Sequence, residues 1–316
     1  MPYFNSKTFQ LRHLTIRFLF IVSVLVQPTP SFAQAESPFD KINAEATKSN
    51  ITIQHLRGNI SVLMGSGGNI VVLTGPQGKL LVDAGIAVSR MKIQDALNSL
   101  DSSQIKYLIN THWHWDHTDG NEWLHETGAT IISHPNTLKH LSETTRVEEW
   151  NHTFASVPLG GRPTVTIKNK TMHFDGNTVV MENYGVGHTD GDLLVLFKDQ
   201  DVLVLGDIFW NGIYPFIDNG VGGNIDGVIR WVNKSLDFVT EKTIVVAGHG
   251  PVGNRADLIE YRDMLVTIRD NVSKLKRGGK SLDEVIPAKP TAAYDTKFGN
   301  SLIDPAFFTR LVYAGV

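Results

Sequence analysis

The segment Thr111-His-Trp-His-Trp-Asp-His117 follows directly on the apolar run Ile105–Ile109, and it constrains the fold more than any other stretch of the chain. In an extended segment successive side chains alternate sides, so His112 and His114 point the same way and can reach one ion at about 2.0–2.1 Å without distorting the backbone. Asp116 and His117 come next, where a turn can send them toward a second ion. With histidine at a few per cent of residues, four ligand-type side chains in six positions arise by chance on the order of once in many thousands of segments. The fold therefore has to hold this segment on a strand end and bring further ligands to it.

Three candidates share that placement at the end of an apolar strand: Asp207 after Val202-Leu-Val-Leu-Gly206, His249 after Ile244-Val-Val-Ala-Gly248, and His188 within Gly185-Val-Gly-His-Thr189. Strand ends on one sheet edge converge in space however far apart they lie in sequence, and glycines beside each residue let the backbone approach a crowded centre. His55, His125, His134, His140, His152 and His173 lack such company and read as core or surface histidines.

The rest of the chain supplies the strands such a centre needs. Ile51–Leu56, Ile60–Met64, Ile70–Leu73 and Leu80–Asp83 are short β-rich runs broken by Arg57-Gly-Asn59, Gly65-Ser-Gly-Gly-Asn69 and Gly75-Pro-Gln-Gly78, the pattern of an antiparallel meander. Met91, Ile93, Ala96, Leu97 and Leu100 then recur at helical spacing before the strand Ile105–Ile109. A second half repeats the scheme, with strands at 165–167, 172–174, 179–182, 193–197 and 202–205, a helix around 225–239 and a strand at 243–247. Two similar α/β halves are predicted. Apolar residues from Leu258 to Leu275 mark Arg255–Lys276 as a long amphipathic helix, ended by Gly278-Gly279 and followed by a proline-containing tail.

At the N-terminus, Lys7, Arg12 and Arg17 precede the apolar run Phe18–Val26, then Pro28, Pro30 and Ser31-Phe-Ala-Gln-Ala35. This is the order of a secretory signal peptide, and the run is well short of the roughly 20 residues that span a bilayer. The expected organisation is a leader at 1–35, cleaved after Ala33 or Ala35, a catalytic domain at 36–254, and a C-terminal helix and tail at 255–316 packed on the same domain. A periplasmic or secreted protein without membrane insertion after cleavage is expected, and the absence of cysteine suits an oxidising compartment. With 29 basic and 32 acidic residues spread along the chain, no basic tract is present to grip a nucleic acid.

His112-Trp-His-Trp-Asp-His117, Gly187-His188-Thr189, Gly206-Asp207 and Gly248-His249-Gly250 resemble the signature motifs of the metallo-β-lactamase superfamily, over about Ile51 to Pro251. The resemblance implies an α/β fold, a four-layer αββα sandwich with metals at one edge. It implies that His112, His114 and His188 hold a first zinc, that Asp116, His117 and His249 hold a second, and that Asp207 bridges them. Two zinc ions per chain are expected, and iron or manganese would suit the same donors. True β-lactamases carry cysteine or serine where this chain has Asp207, whereas the glyoxalase II, lactonase and general hydrolase branches carry aspartate. The flavodiiron branch replaces the second histidine by glutamate, so His114 argues against an oxygen-reducing iron site.

Two cations a few Å apart lower the pKa of a shared water from about 15.7 toward about 7, leaving a metal-bridging hydroxide as nucleophile. The expected activity is cleavage of an ester, lactone, thioester or amide in a small-molecule substrate, with Asp116 orienting the nucleophile. A β-lactamase and a non-catalytic metal-binding protein are the alternatives. The aromatic stretch Ile208–Asp218 is expected to wall the substrate pocket, with Tyr214 or Asn211 as oxyanion donor; Trp113 and Trp115 are expected to pack beneath the metal loop.

Overall fold

The computed structural model describes residues 1–5 and 37–316, and the expected leader lies, but for its first residues, outside them. The chain divides into two units, Met1–Ala35 and Glu36–Val316, the second holding every helix and strand of the described residues.

β1 (Thr52–Arg57), β2 (Ile60–Met64), β3 (Ile70–Gly75) and β4 (Gly78–Val82) form the meander that the glycine turns predict. β5 (Ile105–Ile109) lies parallel to β4, a pairing no tight turn can make, and the helix Arg90–Leu100 supplies the crossover. β6 (Thr130–Ser133) extends the sheet in parallel, while β7 (Thr145–Val147) and β8 (His152–Phe154) form a separate hairpin. β9 (Val165–Thr166) then pairs with β6 and completes a seven-stranded sheet. The sequence pattern places this strand at the head of the second half; its pairing puts it on the edge of the first sheet. A two-residue strand has too few side chains to carry its own pattern, so tertiary packing chooses its partner. β10 (Lys170–Phe174), β11 (Asn177–Glu182), β12 (Leu194–Phe197), β13 (Val202–Val204) and β14 (Ile244–Val246) make the second sheet, antiparallel except for β13 and β14, which the helix Ile225–Leu236 connects.

Alternation along single strands builds the layers. On β4, Leu80 and Val82 join Val62, Val71 and Ile132 in a core that also holds Val179, Val195 and Phe197 of the second sheet, while Leu81 turns outward to Ile93 and Leu97 of the crossover helix. On β13, Val202 and Val204 enter the inter-sheet core and Leu203 faces the cluster of Trp231, Leu258 and Ile268. The order is helix, sheet, sheet, helix, the four-layer αββα sandwich. Each fully buried aliphatic side chain in these layers contributes about 1.5–3 kcal/mol relative to an exposed one.

The helix Arg255–Arg277 starts on a capping box of Asn254 and Asp257 and ends at Gly278. The segment expected as a tail folds further, into helices Leu282–Val285, Asp295–Phe298 and Pro305–Gly315. The last begins with Asp304 capping the Phe307 amide and Pro305 in its first turn, and its Phe308, Leu311 and Val312 join the cluster of Tyr261, Met264 and Ile268. No helix among the described residues is long and apolar enough to cross a membrane. β4 and β5 run parallel, as do β13 and β14, so each sheet offers adjacent carboxyl ends from which ligand-bearing loops can leave.

Candidate metal centre

β5 ends at Ile109, the chain bends through Thr111–Trp113 instead of staying extended as the spacing predicts, and the helix Trp115–Thr118 begins after His114. The bend carries His112 and His114, and the helical turn redirects Asp116 and His117. Asn110, at the strand end, is locked by a reciprocal pair of 2.9 Å hydrogen bonds with Asn121. Asp83, just past β4, accepts from the Thr111 amide and the Thr111 hydroxyl, both at 2.7 Å, and faces His117 Nδ1 at 2.8 Å. Its φ of 65° lies in the left-handed region, a cost of roughly 1–3 kcal/mol that these bonds offset.

The seven candidate ligands gather into two groups. His112, His114, His188 and Asp207 offer ligand atoms within 4.8 Å of one another, and so do Asp116, His117 and His249. All but His249 are buried. The hydrogen bonds fix where the imidazole protons sit. Thr111 Oγ1 has given its proton to Asp83, so it accepts from His112 Nδ1 at 3.0 Å. His188 Nδ1 donates to the Phe216 carbonyl and His114 Nε2 to Asp218, both at 2.9 Å. His112 Nε2 and His188 Nε2 are left as lone pairs, and both face His114 Nδ1, at 3.1 and 2.9 Å. Two lone pairs converging on one ring nitrogen cannot both be satisfied by a single proton, whereas a metal cation among the three would satisfy them all.

Asp207 joins the groups through different atoms. Its Oδ2 lies 3.5 Å from His188 Nε2 and 3.7 Å from His112 Nε2, while Oδ1 lies 3.1 Å from His117 Nε2 and 3.5 Å from His249 Nε2. Oδ1 is buried and receives no hydrogen bond. A buried carboxylate oxygen without a donor costs free energy, and a metal ion is the partner this donor set fits. The structure thus provides His/Asp groups able to hold divalent ions.

The groups differ in charge. Burial holds His112 well below its ordinary value, with the surrounding imidazoles adding and Asp207 opposing, and burial likewise takes His188 down to about 4. Burial also acts against charge on His117 and His249, but Asp207 and Asp116 outweigh it, holding His117 well above its ordinary value and His249 at about 9. Asp207 stays well below the carboxylate range although burial resists this, because His249, His117 and His112 favour its ionised form.

Glycines fit the loops to this crowding. A Cβ on Gly68 would enter the His117 ring, and one on Gly248 would overlap Asp207 Oδ1 while standing 2.7 Å from the Gly206 carbonyl carbon. The hairpin turn Gly65–Asn69 braces the centre: Asn69 donates through its amide to Gly248 O at 2.8 Å and through its side chain to Ala247 O at 2.9 Å. Gly248→Ala is expected to lower stability by about 1–3 kcal/mol, because the methyl group would meet the Asp207 carboxylate and, behind it, the Gly206 backbone, and to lower the ion content. Thermal melting and elemental analysis check this, and an unchanged melting temperature with full metal content would contradict it.

Tyr214 does not serve as the oxyanion donor expected of it. It is fully buried, its ring stacks on Phe308 at 4.7 Å, and its hydroxyl donates to Asp295 Oδ1 at 2.9 Å. The C-terminal helices, absent from the sequence expectation, claim it. Asn211 is spent as well, with its side chain donating to Pro251 O at 3.0 Å. Trp113 and Trp115 pack into the aromatic cluster beneath the metal loop, where Trp115 meets Trp150 at 4.8 Å and Phe154 at 5.4 Å. Asp83 and Asp218, which orient His117 and His114, are missing from the sequence expectation. Asp83 had a usable signal, a carboxylate directly after an apolar strand, as at Asp207.

A cavity of about 280 Å³ opens on His114, Asp116, Asp207 and His249. The sequence profile of the metallo-β-lactamase superfamily matches residues 63–270. The probable metallo-hydrolase YqgX of Bacillus subtilis (strain 168) is 32% identical over 65 residues, 21% of this chain and 30% of that protein, so the chain matches less than a third of this relative's length. Among solved structures, the metallo-β-lactamase from Pontibacter korlensis is similar with a TM-score of 0.56 at 16% identity, covering 69% of this chain and 99% of that one. The stereoselective inverting sec-alkylsulfatase Pisa1 from Pseudomonas sp. has a TM-score of 0.60 at 15% identity, over 83% of this chain and 50% of its own. At these identities the structural likeness concerns the fold alone.

Proposed function

From the premise that this chain belongs to the metallo-β-lactamase superfamily, we propose that it is a dinuclear zinc hydrolase acting on an ester, lactone, thioester or amide bond of a small molecule. The observation that carries this reading is the division of Asp207 between the two ligand groups, one oxygen toward each, amid inward-facing imidazole nitrogens. Nitrogen and oxygen donors without thiolate suit zinc. Bound divalent ions would supply Lewis acidity and lower the pKa of a water toward about 7.

The protein's own groups do the rest. Asp116 lines the cavity, and although burial opposes its ionisation, His117 and His249 keep it an anion that can hold the proton of the attacking water. Trp210 and Phe216 line the same cavity and keep bulk water from the reacting bond. In the reaction the water oxygen bonds to the acyl carbon, the bond to the leaving oxygen, sulfur or nitrogen breaks, and a proton from water goes to that leaving atom. Export with cleavage near Ala33 or Ala35, and independence of nucleic acid and membrane, belong to the same reading.

Loading metal-free protein with zinc and offering lactones, thioesters, β-lactams and phosphodiesters tests it, together with elemental analysis. Two ions per chain and turnover that a chelator abolishes reversibly are expected; one ion or none in active protein would overturn the dinuclear reading. β-Lactam turnover is expected to be weak, several orders of magnitude below roughly 10⁶ M⁻¹s⁻¹, because a bridging carboxylate adds negative charge where a leaving-group anion has to be stabilised. Efficient penicillin turnover with esters and lactones untouched would make the protein a resistance enzyme instead.

A further inference from the structure

The cavity above the metal centre takes its far wall from outside the region that matches the superfamily, residues 63–270. Ile42 and Ala46 come from the helix Pro38–Lys48, and Leu302 and Ile303 from the segment that enters the last helix. Trp150 and Phe216, in edge contact at 5.2 Å, also line it. The wall is anchored: Ser89 Oγ donates to Ala46 O at 3.1 Å, and Lys92 Nζ donates to the carbonyls of Thr47 and Ser49, both at 2.7 Å. Among the described residues lining the cavity there is no lysine or arginine, and the one charged side chain outside the ligand groups is Glu45.

Resting on the hydrolase reading above, we infer that the preferred substrate is an uncharged ester or lactone with an extended apolar acyl arm. The arm lies between the helix Pro38–Lys48 and the Leu302-Ile303 wall. A negative charge on the arm would lose its water without gaining a cation, and would face Glu45 besides. An aliphatic arm gains from every methylene it buries against this wall. At about 280 Å³ the cavity stands near the small end of ligand pockets, which suits an arm of moderate length rather than a large ring system. On hydrolysis the acyl carbon–oxygen bond breaks, the water oxygen becomes part of the carboxylate, and the alcohol leaves with a proton from that water.

The test uses zinc-loaded full chain and p-nitrophenyl esters from acetate to octanoate, with a suberate monoester as the arm of the same length ending in a carboxylate. kcat/KM is expected to rise roughly two- to fourfold per methylene until the cavity is filled, and the terminal carboxylate to cancel the gain. Leu302 is exposed, so Leu302→Asp should fold; it is expected to lower the octanoate-to-acetate ratio, and Glu45→Lys to raise the suberate-to-octanoate ratio. A second readout needs no turnover: 1-octanol is expected to shift the tryptophan emission of metal-free protein to the blue as it displaces water from beside Trp150 and Trp210, and less so in Leu302→Asp. Hydrolysis of acetate as fast as octanoate, or of suberate as fast as octanoate, would overturn the inference and leave the hydrolase reading standing. Failure of a two-zinc preparation on every ester and lactone would instead overturn the hydrolase reading.

Discussion

Asp207→Ala is expected to leave a folded protein that holds at most one ion and whose hydrolytic turnover is roughly three orders of magnitude slower. The fold should survive because Asp207 lies past β13 in a short turn, outside the inter-sheet core, and its Oδ1 holds no hydrogen bond that the backbone depends on. Activity should not survive, because this carboxylate alone faces both ligand groups. Without it the first group keeps three imidazole lone pairs, enough to bind an ion, whereas the second keeps Asp116, His117 and His249 with half its negative charge removed. Ion content per chain, kcat/KM and far-ultraviolet circular dichroism on one preparation separate the possibilities. Two ions and wild-type turnover in the variant would show that the bridging role is wrong.

Metal uptake is expected to occur in two stages, the first nearly insensitive to acid near neutral pH and the second weakened by it. In metal-free protein His112 and His188 are already neutral at pH 7, so an ion entering the first group displaces no proton from them until the pH approaches about 4, where His188 titrates. His117 and His249 are held charged by Asp207 and Asp116, His249 with a value of about 9. An ion entering the second group must expel those protons. Below about 9 its apparent affinity should therefore fall as the pH falls, by about tenfold per pH unit for each proton displaced. The sign follows from raised values: the proton competes below the raised value and stops competing above it. Competition titrations with a chromophoric chelator at three values between pH 6 and 8 decide this. Two ions lost in parallel as the pH drops would mean that the groups do not differ in charge as described.

Much of the centre was legible in the chain because metal ligation leaves a dense local mark. His112, His114, Asp116 and His117 crowd one strand end, and Asp207 and His249 each follow an apolar strand flanked by glycine, so strand periodicity and ligand chemistry pointed to the same places. The meander and the crossover helix were legible for a similar reason, each being a local pattern closed by glycine turns. What sequence could not reveal depended on partners far along the chain. The strand Val165–Thr166 has no pattern of its own and belongs to whichever edge accepts it. Tyr214 looked like a pocket residue because it sits among pocket residues, yet Asp295, some eighty positions on, captures its hydroxyl. Asp218 acts through the histidine it orients, His114, and a carboxylate of that kind within a long loop has no motif to announce it.

The ligands come from both halves of the sandwich: His112 to His117 follow a strand of the first sheet, while His188, Asp207 and His249 belong to the loops of the second. An ion held between them is then also a mechanical tie, joining two halves that otherwise adhere through their apolar faces. In a chain without a single cysteine, such a tie would do the cross-linking that no disulfide can. No reductant would open it, and scarcity of metal would, so ions bound there would set both how fast the protein works and how long it resists being pulled apart.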